Sequence, residues 1–148
     1  MNVLMVCLGN ICRSPMAEGI LNHIAASEGL DWAIDSAGTG SWHVGEAPDR
    51  RAVNTCRKNG IDISGQRARH FEQSDFRDFD LILTMDRSNL DDVLLLARND
   101  DDRGKIKSIL HYADVTGDVV PDPYYDGRFD EAFDLINRAC SAIVRDAR

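Results

Sequence analysis

Apolar residues along this chain fall into short continuous runs that alternate with longer stretches of helical spacing. Val3-Leu4-Met5-Val6 is a run of strand length with no polar break, the pattern of a strand covered on both faces. After it, Ala17, Ile20, Leu21, Ile24 and Ala25 recur at helical spacing, with Ser14 as a candidate cap, Pro15 suited to a first turn and Gly29 as a stop. Glu18 lies one residue too far from Ser14 for a capping box. Trp32-Ala33-Ile34 reads as a second short strand. The Gly- and Ser-rich segment from Ser36 to Pro48 then reads as a loop, with Trp42 exposed in its middle.

The pattern repeats downstream. Asp49 to Asn59 reads as a helix closed by Gly60, Ile61 to His70 is polar and irregular, and Gln73 to Asp78 has the length of one helical turn. Leu81-Ile82-Leu83 is a third buried strand ending at Thr84-Met85-Asp86. Ser88 to Ala97 follows as a helix with Leu90, Val93, Leu94 and Ala97 inward, and Asp86 with Ser88 reads as its cap. Asn99 to Asp102 reads as a solvated acidic turn and Ile106 to Leu110 as a fourth strand. Val119 to Gly127 is a proline-containing loop, and Phe129 to Arg145 an amphipathic helix. Strands alternating with helices predict an α/β fold with a doubly wound parallel sheet, as one domain over 1–148. Such sheets bind ligands at the carboxyl ends of their strands. Cys7, Ser36 and Met85-Asp86 all fall at or just after predicted strand ends, so the topology draws them toward one rim.

Composition narrows the function. The 148 residues are 43% hydrophobic and 28% charged, ordinary for a globular protein. Lys plus Arg is 17 and Asp plus Glu is 25, giving a formal net charge of −8, which disfavours nucleic acid and anionic membranes as partners. An anionic small substrate is still compatible, because a ring of amide donors and one arginine can locally oppose the global sign. No apolar run approaches the roughly 20 residues of a membrane span, and Met1-Asn2-Val3 has no basic signal-peptide region, so a cytoplasmic location is expected. In that compartment Cys7, Cys12, Cys56 and Cys140 read as free thiols rather than two disulfides. His23, His43, His70 and His111 show no ligand spacing, so no metal or other cofactor is expected.

The chemistry concentrates in Cys7-Leu8-Gly9-Asn10-Ile11-Cys12-Arg13-Ser14-Pro15, between the first strand and the first helix. Backbone N–H groups of such a turn can converge on an oxyanion, and the positive end of the following helix adds to them. Arg13 offers a planar fork for two phosphate oxygens. Gly9 and Asn10 tolerate the positive φ that a tight turn demands. The same field favours the thiolate of Cys7, whose ordinary pKa is about 8.5, and a thiolate can attack phosphorus to give a cysteinyl-phosphate. Such an attack calls for a carboxylic acid to protonate the leaving oxygen. Asp122, between Pro121 and Pro123 and followed by Tyr124-Tyr125, is the candidate, although Asp-Pro is also a common turn start. Trp42, Tyr124 and Tyr125 can wall a cleft for an aromatic ring, Trp42 reading equally as a ring packed on the surface. Cys12 is either a buried small side chain or the partner of Cys7 in a reversible disulfide. Cys56 and Cys140, on helices, read as core.

These residues together resemble the low-molecular-weight protein tyrosine phosphatases. The segment from Cys7 to Pro15 matches that signature, as do Asp122-Pro123-Tyr124-Tyr125, Met85-Asp86 with Ser88-Asn89, the Trp42 loop and Ala68-Arg69, over nearly the whole chain. The resemblance implies a three-layer α/β/α fold with a four-stranded parallel sheet and the phosphate-binding loop after strand 1. It implies hydrolysis of protein phosphotyrosine without a metal, by a monomer or weak dimer. Cys7 would be the nucleophile, Arg13 the phosphate ligand and Asp122 the proton donor. Asn10 would be hydrogen-bonded to Ser14 and Ser36, and Ser14 would stabilise the thiolate. Leu8, Gly9, Ile11, Cys12, Trp42, Tyr124 and Tyr125 would contact substrate. Many members carry a His, supporting that Asn, just before the residues matching Arg67-Ala68-Arg69; here the position is Gln66, which can still donate and accept, so a functional site with altered support is expected.

Three other functions fit parts of the pattern. An arsenate reductase of similar fold needs resolving cysteines after the third strand, and Thr84 to Leu96 has none. A protein arginine phosphatase carries Thr where this chain has Ile11, and the bulkier apolar side chain favours an aryl ester. A phosphopeptide-binding module would need neither thiol nor acid.

Overall fold

The structure, a computed structural model, describes residues 1–113 and 119–147. Its elements run β1 (Asn2–Cys7), α1 (Arg13–Ser27), β2 (Ala33–Gly38), α2 (Arg50–Lys58), α3 (Asp75–Asp78), β3 (Leu81–Thr84), α4 (Arg87–Leu96), α5 (Asp100–Gly104), β4 (Ile106–Ser108), α6 (Pro123–Asp126) and α7 (Phe129–Ala147). All strand pairs are parallel, in the order β2-β1-β3-β4. The chain leaves β1 toward one side of the sheet to make β2, then crosses back to make β3 on the other. The carboxyl end of β1 is therefore the point where the connections diverge, which opens a crevice at that rim.

Continuous apolar runs make strands here because both sheet faces are covered. Val3, Met5, Leu81 and Leu83 point into one layer, where α1, α2 and α7 supply Ile20, Cys56, Ile136 and Cys140. Leu4, Val6 and Ile82 point into the other, against Phe71, Phe76 of α3 and Val93 of α4. The expected three-layer α/β/α arrangement is what forms, and Cys56 and Cys140 are core, as their helical positions suggest.

Several local expectations change. β2 runs to Gly38, so Ser36 sits inside a strand rather than in the loop after one. Its sequence, Ala-Ile-Asp-Ser-Ala-Gly, is a poor strand former, but residue-by-residue pairing with β1 from Asn2↔Ala33 to Cys7↔Gly38 overrides propensity. Helix α1 begins at Arg13, and Ser14 is not its cap: the cap position is Cys12, which makes no side-chain capping bond. The fourth strand stops at Ser108, whose hydroxyl accepts from the Leu110 N–H and turns the chain into a 3-10 turn, Ile109–His111. On α4, Leu94 is exposed together with Leu95 and Leu96, because one helical step of 100° carries it off the face set by Asn89 and Val93. Asn99, Asp100 and Asp101 are solvated as expected, but the segment is the start of a helix and Asp102 is not exposed. Asn99 caps α5, and Asp102 is buried, accepting from the Arg98 N–H and Nε. The loop around Asp122 contains a turn of helix, α6, for which Asp122 is the cap.

Helix α1 lies close to the irregular segment after α2. A Cβ built on Gly19 would stand 2.5 Å from Ile63 Cγ2 and 3.1 Å from Ile61 Cγ2, so the absence of a side chain sets that approach. Overpacking typically costs about 1–3 kcal/mol, against a helix-propensity gain of about 0.5–1 kcal/mol. Gly19→Ala is therefore expected to lower stability by about 1 kcal/mol net, read as a lower denaturation midpoint with an unchanged slope.

Candidate active site

The loop between β1 and α1 bends through Asn10, whose φ of 56° is the one positive value outside glycine among the described residues. Asn tolerates this region, and here its side chain is bound at both ends. Asn10 Oδ1 accepts from the Arg69 N–H at 3.0 Å, so its amide can point only one way. Nδ2 then donates to Ser14 Oγ at 2.8 Å and to Ser36 Oγ at 2.9 Å. With their oxygens accepting from Asn10, both serines turn their protons outward. Ser14 lies 2.9 Å from Cys7 Sγ, and Ser36 donates to Glu18 Oε1 at 2.7 Å. A single chain of hydrogen bonds thus runs from Glu18 to the Cys7 sulfur.

That chain explains why Ser14 does not cap α1: its hydroxyl is committed to Asn10 and Cys7. The uncapped helix start leaves N–H groups free. Among the described residues, no protein acceptor takes the N–H groups of 8–14. Seven donors at the positive end of a helix make an anion nest.

Arg13 reaches the same rim from the first turn of α1 and is only 2% exposed. Its Nη1 donates to Asp86 Oδ2 at 2.7 Å and to the Val120 carbonyl at 3.0 Å, and its Nη2 approaches Asp122 Oδ2 at 3.4 Å. Burial alone would lower the Arg13 pKa, but Cys7, the Asp86 hydrogen bond and Asp122 outweigh it, and the net shift is upward. Asp86 also caps α4, accepting from the Asn89 N–H, so its cap reading holds and an ion pair adds to it. Val120 in turn donates its N–H to the Met85 carbonyl at the end of β3. The turn bearing Asp122 is thereby fastened to both β3 and Arg13.

A cavity of about 270 Å³ opens above the loop. Cys7, Arg13 and Asp122 line it, as do Leu8, Gly9, Ile11 and Cys12 from the loop. Trp42, Tyr124 and Tyr125 form its aromatic rim. The Trp42 ring covers Gly40, where a Cβ would come within 2.0 Å, and it lines the cavity with 72% of its surface exposed. Asn10, Ser14 and Ser36 lie behind the cavity rather than in its wall. Burial, with Asp49 and Cys7 nearby, pushes the Cys12 thiol well up, so Cys12 stays protonated beside the sulfur of Cys7.

The support beneath Asn10 is altered, as the Gln at position 66 led one to expect, but Gln66 itself does not provide it. Gln66 Nε2 donates to the Pro15 carbonyl, and its side chain lines a second cavity with Glu18, Gly19 and His23. Support comes instead from the backbone of Arg69. His70 and Gly38 form a parallel bridge, with the Gly38 N–H donating to the Arg69 carbonyl, and this lays Arg69 beside the loop. The Arg69 side chain is held by Asp35 and Asp75. Sequence reasoning also missed Glu18, although it sits one turn after Ser14 on the same helix. His43 was missed too: it lines the cavity beside Gly9, with Nδ1 2.5 Å from Glu46 Oε2.

Glu18 is the titrating end of this network. Burial raises its pKa from 4.5 to about 7; the Ser36 hydrogen bond opposes the shift, Asp35 adds to it and Arg69 reduces it.

Comparison with known proteins places these features in a group. The family described as low molecular weight phosphotyrosine protein phosphatase matches residues 2–147. A putative low molecular weight protein-tyrosine-phosphatase of Synechocystis is 46% identical, over 97% of this chain and 94% of that protein. The crystal structure of YfkJ from Bacillus subtilis superposes with a TM-score of 0.93 at 41% identity, covering 99% of this chain and 93% of that one. A Drosophila arginine phosphatase structure also gives 0.93, at 35% identity, covering 100% and 98%.

The Glu18 shift has a stability consequence. The folded chain holds this proton more tightly than the unfolded chain between pH 4.5 and about 7, so stability falls as pH rises through that window and is constant above it. Glu18→Gln keeps an acceptor for Ser36 without the charge. The free-energy gap between variant and wild type, from denaturant melts, is expected to widen in favour of the variant from pH 4.5 to about 7. A flat difference would remove Glu18 as the titrating group.

Proposed function

The chain belongs to the low molecular weight phosphotyrosine protein phosphatase family, and from that premise we propose that it hydrolyses phosphotyrosine in proteins through a cysteinyl-phosphate on Cys7. One observation carries the assignment of roles: Cys7 and Arg13 from the first strand-to-helix turn and Asp122 from a distant segment line one cavity, at a loop whose seven N–H groups have no protein acceptor among the described residues.

The substrate phosphate sits in the nest, with two of its oxygens on the Arg13 fork. Cys7 attacks as the thiolate, assisted by the proton that Ser14 directs at its sulfur. The P–S bond forms as the P–O bond to the tyrosine ring breaks, and the Asp122 carboxyl gives its proton to the departing oxygen. Water then attacks phosphorus and passes a proton to Asp122. The P–S bond breaks, phosphate leaves and the thiolate returns. Charge builds on the equatorial oxygens in both steps, and the loop N–H groups with Arg13 supply the donors that meet it. Ser14 stabilises sulfur as nucleophile and as leaving group.

Substrate choice rests on the rim. Trp42, Tyr124 and Tyr125 stand over the loop, and a phosphotyrosine ring spans from the nest to them, whereas the short side chain of phosphoserine does not. The Drosophila neighbour, named as an arginine phosphatase, makes phosphoarginine the second substrate to consider; Ile11, apolar and in the cavity wall, favours the aryl ester. Arsenate reduction lacks a resolving pair, since Cys56 and Cys140 are buried in the core away from the cavity. Cys12 lines the cavity with Cys7 and is the thiol at hand for a reversible disulfide under peroxide. Among the described residues no helix is long and apolar enough to cross a membrane. We place the enzyme in the cytoplasm, as a monomer or weak dimer.

The test is hydrolysis of matched phosphotyrosine, phosphoserine and phosphoarginine peptides, with arsenate reduction alongside. Phosphotyrosine is expected to be the preferred substrate; preference for phosphoarginine would move the chain to the other branch. Cys7→Ser should abolish phosphate release. Asp122→Ala should lower turnover of phosphotyrosine by about 10²–10⁴-fold while phosphopeptide still binds, and loss of binding as severe as the loss of turnover would remove the acid role.

A further inference from the structure

Asp122 rides on a short turn, and the reach of its carboxyl depends on what holds that turn over the phosphate loop. Arg13 holds its start and Arg128 pairs with Asp126 at its far end; a further cation grips it between them. Arg51, in the first turn of α2, donates from Nη2 to the Tyr124 carbonyl at 3.3 Å. Its guanidinium also lies 5.7 Å from the Tyr124 ring centroid and 4.8 Å from that of Phe129, at the start of α7. On its other side it meets Asp49, with Nε and Nη2 each 3.1 Å from a different carboxylate oxygen. Asp49 caps α2 with the same carboxylate, and its own N–H donates to the Ile11 carbonyl at 2.8 Å. A continuous path therefore runs from the phosphate loop through Ile11, Asp49 and Arg51 to the turn that carries Asp122.

Two points argue that this path does more than stabilise the fold. The Arg51 side chain is half exposed, and exposed ion pairs contribute little to stability. The contacts are also of a kind that fixes geometry: a planar fork on two carboxylate oxygens and a carbonyl, wedged over two rings. The Arg51 hydrogen bond holds Asp49 below the ordinary carboxylate range, so the path keeps its charges through neutral pH.

We propose that Arg51 is a positioning residue for the proton transfer, tying the Asp122 turn to the phosphate loop so that the carboxyl meets the leaving oxygen while phosphorus is in the nest. This rests on the reading of Asp122 as the acid. Arg51 itself touches neither phosphorus nor the departing oxygen; it acts through the backbone of Tyr124.

Leaving-group dependence provides the test. Protonation matters when the departing phenolate is strongly basic and little when it is weakly basic. The quantity to measure is kcat/KM, which reports the step that phosphorylates Cys7, over aryl phosphates of graded phenol acidity. Arg51→Ala is expected to lower kcat/KM about tenfold for the most basic leaving group and by less than about twofold for the least basic. Arg51→Lys, which keeps the charge but lacks the fork, should fall between. In an Asp122→Ala background, Arg51→Ala should cost nothing further, because the two residues act as one unit. Equal losses across the series, or an undiminished loss in the Asp122→Ala background, would overturn the proposal in favour of general loop disruption. A raised KM for phosphopeptides with an unchanged leaving-group slope would overturn it in favour of a substrate contact. If Asp122→Ala shows no leaving-group dependence, the acid reading falls and the positioning role with it. If Asp122→Ala shows it and Arg51→Ala does not, only the positioning role falls. Thermal melts of each variant separate these outcomes from loss of fold.

Discussion

One amide decides the polarity of this site. Asn10 is held at positive φ with its carbonyl oxygen on the Arg69 N–H, and every other orientation behind the loop follows. Its two N–H bonds face two serine oxygens, so both serine protons turn away from it, one toward the Cys7 sulfur and one toward Glu18. Reversing the amide would set two donors against the Arg69 N–H and leave the serines without direction. Strain at one non-glycine residue of order 1–3 kcal/mol persists because the surrounding bonds over-determine it. What that strain secures is a donor aimed at sulfur and a run of backbone N–H groups spent on nothing else.

The second constraint is a buried cation in an acidic protein. Arg13 is almost wholly enclosed, and burying a guanidinium without partners is costly. Asp86 and Asp122 supply the charge and Val120 a carbonyl. The partners come from the ends of different elements, so the ion pairs that make Arg13 tolerable also draw β3, α4 and the Asp122 turn to the rim of β1. In the proposed reaction the same guanidinium binds phosphate, and the carboxylate beside it is the acid. The net charge of −8 therefore does not describe the cavity, where the local donors oppose the global sign.

Much of this was legible in the residues because it depends on local order. The buried runs Val3–Val6 and Leu81–Leu83, the spacing Cys7 to Arg13, and the aromatic pair after Asp122 are patterns of near neighbours, and near neighbours are what a linear text records. Ser36 and Leu94 show where that stops. Ser36 lies in a weak strand sequence that pairs because β1 is beside it, and Leu94 fits a helical stripe whose true centre is set by the sheet it meets. Gln66 is the sharpest case. A position three residues before Arg69 invited a side-chain role toward Asn10, yet the support is the Arg69 main chain, which no side-chain pattern encodes.

The sequence by itself determined the alternation that makes a parallel sheet, the thiol and arginine at the first strand-to-helix turn, and the carboxyl group between two prolines. These follow from periodicity and from residue chemistry at short spacing. Only the tertiary structure decided which groups meet: Asp86 on Arg13, Glu18 at the end of the Asn10 chain, His43 against Gly9, and Arg51 between Asp49 and Tyr124. Those contacts join residues from distant segments, and side-chain chemistry alone says what each could bind, not which partner folding brings into reach. The loop from Cys7 to Ser14 was readable as an anion site; the direction of its hydrogen bonds came from the backbone of a segment almost sixty residues away.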